Sequence, residues 1–303
     1  MPIQHDGGCG VRRDWGIVCL IPVMIAVALA IGTACQSSDK SRSAEDKPST
    51  VDEWVQTKKQ WLVEMRREPG GGGGTTLAHF AAAEGRIDVL EWLKKQGENV
   101  NAKEELGETP MFRAARNGHV NTMKWLKAQG ADANIKNELG ETPIFQAATG
   151  GHLGAIQWLK EQGADINAKN DHGKTPLHGL AWWGHVDAMK WVIDHGANVN
   201  ASNHMSRTPI HEAVAMDRLD AMRLLIEQGA DINAKDENGE TPMYKAAWGG
   251  HVNAMKLLKE HGADINVKDN TGKTPLDVAI QRKQTNAIKW LDKQVADDKV
   301  KGK

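Results

Sequence analysis

Apolar and polar residues follow three different rhythms along this chain. From Gly16 to Ala34 the text is apolar, broken only by Pro22, Gly32 and Thr33, and from 36 to 52 it is polar and rich in Ser, Lys, Asp and Glu. Apolar residues then return at helical spacing: Trp54, Trp61, Leu62 and Met65 share one face of a predicted helix. Pro69 and the glycines Gly70 to Gly74 end it. We read this helix as a cap on the segment beyond it.

That segment is periodic. Thr76, Thr109, Thr142, Thr175, Thr208, Thr241 and Thr274 are 33 residues apart without insertion, and all but the first precede Pro. Thr suits an N-cap, where its hydroxyl accepts a bond from an orphan N–H for about 1 kcal/mol. Pro at the first helical position gives up an N–H that has no partner there anyway. Ala pairs such as Ala114-Ala115 keep this first helix slim. Gly118, Gly151, Gly184 and Gly250 allow the left-handed residue that ends it. A second helix is predicted from Val120 to Gln129, closed by Gly130, and an Asn-rich hairpin-like turn precedes Gly140. One such unit cannot bury its own apolar face, so seven must stack. Trp92, Trp125, Trp158, Trp191 and Trp290 recur at one position of the second helix, with Leu224 and Leu257 in the other two repeats. That interchange marks them as packing residues.

Length, the Thr-Pro-Leu-His type opening and the Gly-Ala-Asp-Ile-Asn close make the repeat similar to the ankyrin repeat. The resemblance implies an all-α solenoid of seven helix–turn–helix units over 75–296, behind a capping helix and Gly-rich turn over 53–74. A charged tail over 297–303 comes after the last repeat, where Asp277, Arg282 and Lys283 are expected to make a polar end.

The beginning of the chain reads as an address. Arg12 and Arg13 before the apolar run have the form of a secretory signal over 1–34. Thr33-Ala34-Cys35 resembles the lipobox of bacterial lipoproteins, although Gly32 stands where that family usually has Leu or Val. The resemblance implies cleavage before a lipidated Cys35, a flexible tether over 35–52, and a lipid-anchored protein on the periplasmic side of the envelope. Gln36, in place of Asp, favours the outer membrane. An uncleaved anchor and plain secretion are the alternatives, and all three place the repeats beyond the cytoplasmic membrane. Cys9, Cys19 and Cys35 all lie in this segment. That suits an oxidising compartment, and it suits equally the duplication of a repeat without Cys.

Composition narrows the function. Lys+Arg 38 against Asp+Glu 39 leaves no cationic excess of the kind nucleic acid requires. There is no phosphate loop, nucleophile elbow or metal-spaced Cys/His cluster. His119, His152, His185 and His251 recur at matching positions, but neighbouring repeats place them ~8–10 Å apart, too far to share zinc. They are expected to satisfy loop carbonyls. No enzyme activity and no cofactor are expected.

The ankyrin resemblance implies binding through hairpin tips and the exposed side of the inner helices. Positions that vary while the frame stays constant are the candidates: Arg116, Trp182, Trp183, Met216 and Trp248 on the helices, with Leu106, Leu139, His172, His204, Met205 and Arg207 at the tips. Aromatic and Met residues rimmed by polar groups suit a protein-binding hot spot. The expectation is a monomeric module that docks one partner protein in its concave groove. A glycan or small-molecule receptor using the tryptophans is the alternative.

Overall fold

The computed structural model describes residues 50–65 and 74–300, and side chains within 50–63 and 74–298. The signal, Cys35 and most of the tether lie outside the described residues, as do Pro69, Gly70 to Gly73 and the Met65 side chain. Among the described residues there are fifteen helices and no strand, and no helix is long and apolar enough to cross a membrane.

Helix α1 (Val51–Met65) comes first, beginning two residues before the predicted boundary. Seven pairs succeed it: α2 (Leu77–Ala83) with α3 (Ile87–Lys95), α4 (Pro110–Arg116) with α5 (Val120–Ala128), and α6 (Pro143–Thr149) with α7 (Leu153–Glu161). Next come α8 (Pro176–Trp183) with α9 (Val186–Asp194), and α10 (Pro209–Ala215) with α11 (Leu219–Glu227). The last two are α12 (Pro242–Gly249) with α13 (Val252–Glu260), and α14 (Pro275–Gln281) with α15 (Thr285–Val300). The first helix of each pair packs on first helices of neighbouring pairs, and second helices pack on second helices. One apolar seam therefore threads the stack.

The Ala pairs at 81–82, 114–115, 147–148 and 246–247 are fully buried, as close helix approach demands. The recurring tryptophans pack on this core, with Trp158 buried and Trp92, Trp125, Trp191 and Trp290 half-buried beside it. The helix-ending glycines take the left-handed conformation; Gly118 has φ 72°, and a Cβ there would also lie 2.6 Å from the His152 ring. Repeat five has no glycine at two such places. Asp217 (φ 51°) and Ser206 (φ 57°) adopt the same conformation, so the sequence irregularity leaves the frame unchanged.

Capping differs from expectation in its detail. The Thr241 and Thr274 hydroxyls accept from the N–H three residues on, each at 3.3 Å, and Thr76, Thr175 and Thr208 form capping boxes with His79, His178 and His211. The buried Thr142 hydroxyl has no partner, and in repeats one, four and five the hydroxyl also lies 2.9 Å from the His Nδ1.

Helix α1 packs on both helices of the first repeat. Trp54 is buried and its indole donates to Glu84 at 2.7 Å, while Trp61 meets Phe80 edge-on at 4.8 Å. At the other end α15 continues to Val300, through residues assigned from sequence to the charged tail, and Lys259 pairs with Asp298 at 2.7 Å. Asp277, Arg282 and Lys283 are exposed as expected of a terminal unit, but so is Ile280, at the position that holds a buried Ala or Val in every earlier repeat.

Candidate functional site

Five of the hairpins are built by a single side chain each. Asn137 Oδ1 accepts from the N–H groups of Leu139 (3.0 Å) and Glu141 (2.9 Å), and Asn170, Asn203, Asp236 and Asp269 do the same in their repeats. Successive tips are then joined by one backbone bond apiece: Glu138 N–H to Leu106, Asp171 to Leu139, His204 to His172, Glu237 to Met205 and Asn270 to Asn238, all 2.8–3.0 Å. The tip candidates consequently stand in register from repeat to repeat.

Contacts join the hairpin stems to the C-terminal ends of the inner helices. Arg116, at the end of α4, lies 3.4 Å from Glu108 in the stem before it. The Lys174 ammonium sits 5.7 Å from the centre of the Trp182 ring, and Lys273 bonds Gln281 at 2.8 Å. One surface therefore carries both sets of sequence candidates.

Along that surface runs a buried polar network. Arg113 pairs with Glu104 at 2.6 Å, Arg116 Nε donates to Gln146 at 2.7 Å, and Gln146 donates to Glu141 at 2.6 Å. Farther along, Lys174 pairs with Glu212 at 3.0 Å, and Asp236 receives Arg207 at 3.2 Å and Lys245 at 3.1 Å. Burial opposes the Asp236 charge, but Lys245 and Arg207 hold its pKa below the usual carboxylate range. Burial pushes Glu108 the other way, upward, against the pull of Arg116 and Arg113. Of the residues singled out from sequence, Arg116 and Arg207 are thus already engaged within the molecule. Met205 and Met216 are half-buried, while His172, His204 and Leu139 are exposed.

The tryptophans separate into two kinds. Trp182 is half-buried beside Lys174, whereas Trp183 and Trp248 are each 48% exposed. Arg282 of the last repeat lies 4.2 Å from the centre of the Trp248 ring. Leu106 (49%) and Leu139 (36%) add exposed apolar area at the tips.

The histidines tie repeats together. His79, His178 and His211 accept the N–H of their own capping Thr at Nδ1 (3.1–3.2 Å), so the proton must sit on Nε2. Each Nε2–H then donates to a carbonyl of the next repeat: Glu108, Arg207 and Glu240, at 3.1–3.3 Å. Burial lowers all three pKa values, that of His211 to about 4. In the loops, His119 reaches the Ala83 carbonyl at 2.9 Å and His185 that of Thr149 at 3.3 Å. Arg218 and Gln284 replace His and bond the Trp182 and Trp248 carbonyls, which shows that a donor, not an imidazole, is required there.

Sequence reasoning missed a second tie. The Asn of the Gly-Ala-Asp-Ile-Asn close donates to the end of the next outer helix, as Asn167 Nδ2 does to Gly196 at 2.8 Å. Its Oδ1 accepts the Asn198 N–H at 2.9 Å. Asn200 repeats both bonds. The recurrence of Asn at that position was the available signal.

Seven helix pairs joined by hairpin turns and stacked by such ties define a solenoid of helix–turn–helix repeats. The ankyrin repeats (3 copies) family profile matches residues 55–137, 78–170, 121–203, 163–236 and 211–301, and the chain belongs to the ankyrin repeat family. It is similar to the human ASB11 ankyrin repeat domain, covering 98% of that chain with 72% of its own at 29% identity and a TM-score of 0.64. No curated protein matches the chain. Ankyrin repeats are in general protein–protein interaction modules and non-catalytic scaffolds.

Proposed function

We propose that this protein is a non-catalytic module that holds a partner protein in the groove formed by its hairpins and inner-helix ends. One observation carries the reading: Trp183 and Trp248 stand 48% exposed on that surface, although the stack does not need them there. The same positions hold Thr149, Ala215 and Gly249 in neighbouring repeats with the frame unchanged. Exposed tryptophans in a groove are typical anchors of protein interfaces. A glycan receptor is the weaker reading, because Lys174 and Arg282 lie over the Trp182 and Trp248 rings and leave less free face for stacking.

The test is quantitative affinity capture from membranes with the parent chain and with Trp183→Ala/Trp248→Ala. The variant is expected to lose at least ten-fold of a specific protein; equal recovery by both forms overturns the groove. We further propose that the module acts as a monomer beyond the cytoplasmic membrane, held by a lipid on Cys35, as the lipobox-like Thr33-Ala34-Cys35 suggests. Metabolic labelling with palmitate is expected to mark the parent and not Cys35→Ser. Equal labelling of both would remove the anchor from the proposal.

A further inference from the structure

Charge offers a partner little to hold in this groove. Arg116, Lys174, Arg207 and Lys245 are each within 3.4 Å of a buried carboxylate of their own chain. Redirecting Lys174 to a ligand would leave Glu212 buried without its cation, and redirecting Arg116, Arg207 or Lys245 would leave Glu108 or Asp236 with one cation in place of two, each an unfavourable exchange for a buried charge. The chain as a whole is close to neutral as well. Exposed polar groups such as Glu138, His172 and His204 stand at the hairpin tips, whereas the inner-helix ends of repeats four to six expose Trp183, Ala215 and Trp248.

That apolar surface has relief. At the two inner-helix end positions the repeats read Thr149-Gly150, Trp182-Trp183, Ala215-Met216 and Trp248-Gly249. Large and small residues alternate, so the exposed Ala215 lies in a notch with Trp182 before it and Trp248 after it. Inner helices pack at about 8–10 Å, which sets the two walls roughly 16–20 Å apart. Both walls are braced: Arg218 and Gln284 bond the Trp182 and Trp248 carbonyls, and Lys174 and Arg282 lie against the rings. A braced notch over an exposed alanine, between two indoles, suits insertion of bulky apolar side chains.

Resting on the protein-binding reading above, we infer that the recognition core of the groove is the notch over Ala215 between Trp182 and Trp248, and that it takes an uncharged apolar segment of the partner protein. Binding there is governed by shape and apolar area, so it is insensitive to salt.

The experiment pans a phage-displayed library of random linear peptides against the immobilised full chain in 50 mM and in 500 mM NaCl. Selected peptides are then synthesised and titrated against Ala215→Arg and Trp183→Ala/Trp248→Ala. Ala215 is exposed, so the arginine fills the notch without entering the core, and an unchanged thermal midpoint verifies this. The expected result is one aliphatic and aromatic consensus at both salts, weakened at least ten-fold by Ala215→Arg and by the tryptophan double variant. Peptides rich in charge that are recovered only at low salt, but still lost with the tryptophans, would overturn the notch and leave the groove standing. Peptides indifferent to all three substitutions would bring down the groove itself. A concentration-dependent dimer abolished by Ala215→Arg would replace the partner segment with a second copy of this chain.

Discussion

Repeats two and three treat the groove surface differently from repeats four to six. In the former, side chains answer one another: Arg116 serves Glu108 and Gln146, and Gln146 serves Glu141. In the latter, the helix ends of repeats four and six raise Trp183 and Trp248 into solvent, with Ala215 exposed between them. The frame beneath is the same, with the same backbone bonds between hairpin tips in both. Stability therefore does not explain the difference. Buried ion pairs run through both halves, and the second half adds exposed tryptophans beside them.

The comparison can be broken in several places, beginning with its polar half. Arg113→Met removes the guanidinium from buried Glu104 and leaves Glu108 with Arg116 alone. We expect a loss of about 3 kcal/mol in urea unfolding. A loss below about 1 kcal/mol would show that the network is decoration.

Acid should strike the other half. Repeats four and five place His178 and His211 where repeats two and three have Phe112 and Phe145. His211 titrates near 4 in the folded chain and at its ordinary 6.5 when unfolded, so the unfolded chain binds the extra proton. Stability is full above about pH 6.5 and falls as pH drops toward 4, by about 2–3 kcal/mol. Hydrogen exchange should loosen repeats one, four and five before repeats two and three, because His79 is lowered by burial as well, and His211→Phe should flatten the profile. An unaltered acid profile in that variant would contradict the assignment.

Trp183→Ala is expected to change stability by less than about 1 kcal/mol while costing binding, because an exposed side chain contributes little to folding. A larger loss would make the residue a packing element like Trp158. The smallest effect belongs to repeat five: Ser206→Gly should gain about 0.5 kcal/mol by relieving a positive φ, read as a small rise in urea midpoint.

The periodic text made the helices, glycine turns and tryptophan seam legible, since each is dictated by residue type at a position. The ties were less so. His211 binds the Glu240 carbonyl, and Asn167 the end of the next outer helix, across about one repeat of chain. Composition at a position does not reveal a partner in another unit. The polar network was hidden for the same reason: Arg116 and Arg207 vary between repeats and so resembled free binding groups, yet each has a buried acid to neutralise. Trp182 lies beside Lys174, a contact between stem and helix end that spacing does not show.

The side-chain bonds that join one repeat to another among the described residues span 25 to 39 positions, from Tyr244–Asp269 to Lys259–Asp298. Nothing in that set clasps the first repeat to the last. Pulled by its two ends, such a chain has no shared latch and should give way one module at a time, like a zip. In an optical trap this becomes a staircase of nearly equal extensions, roughly 110 Å of contour per 33-residue module. A molecule of this kind can yield a little under load without losing its whole shape.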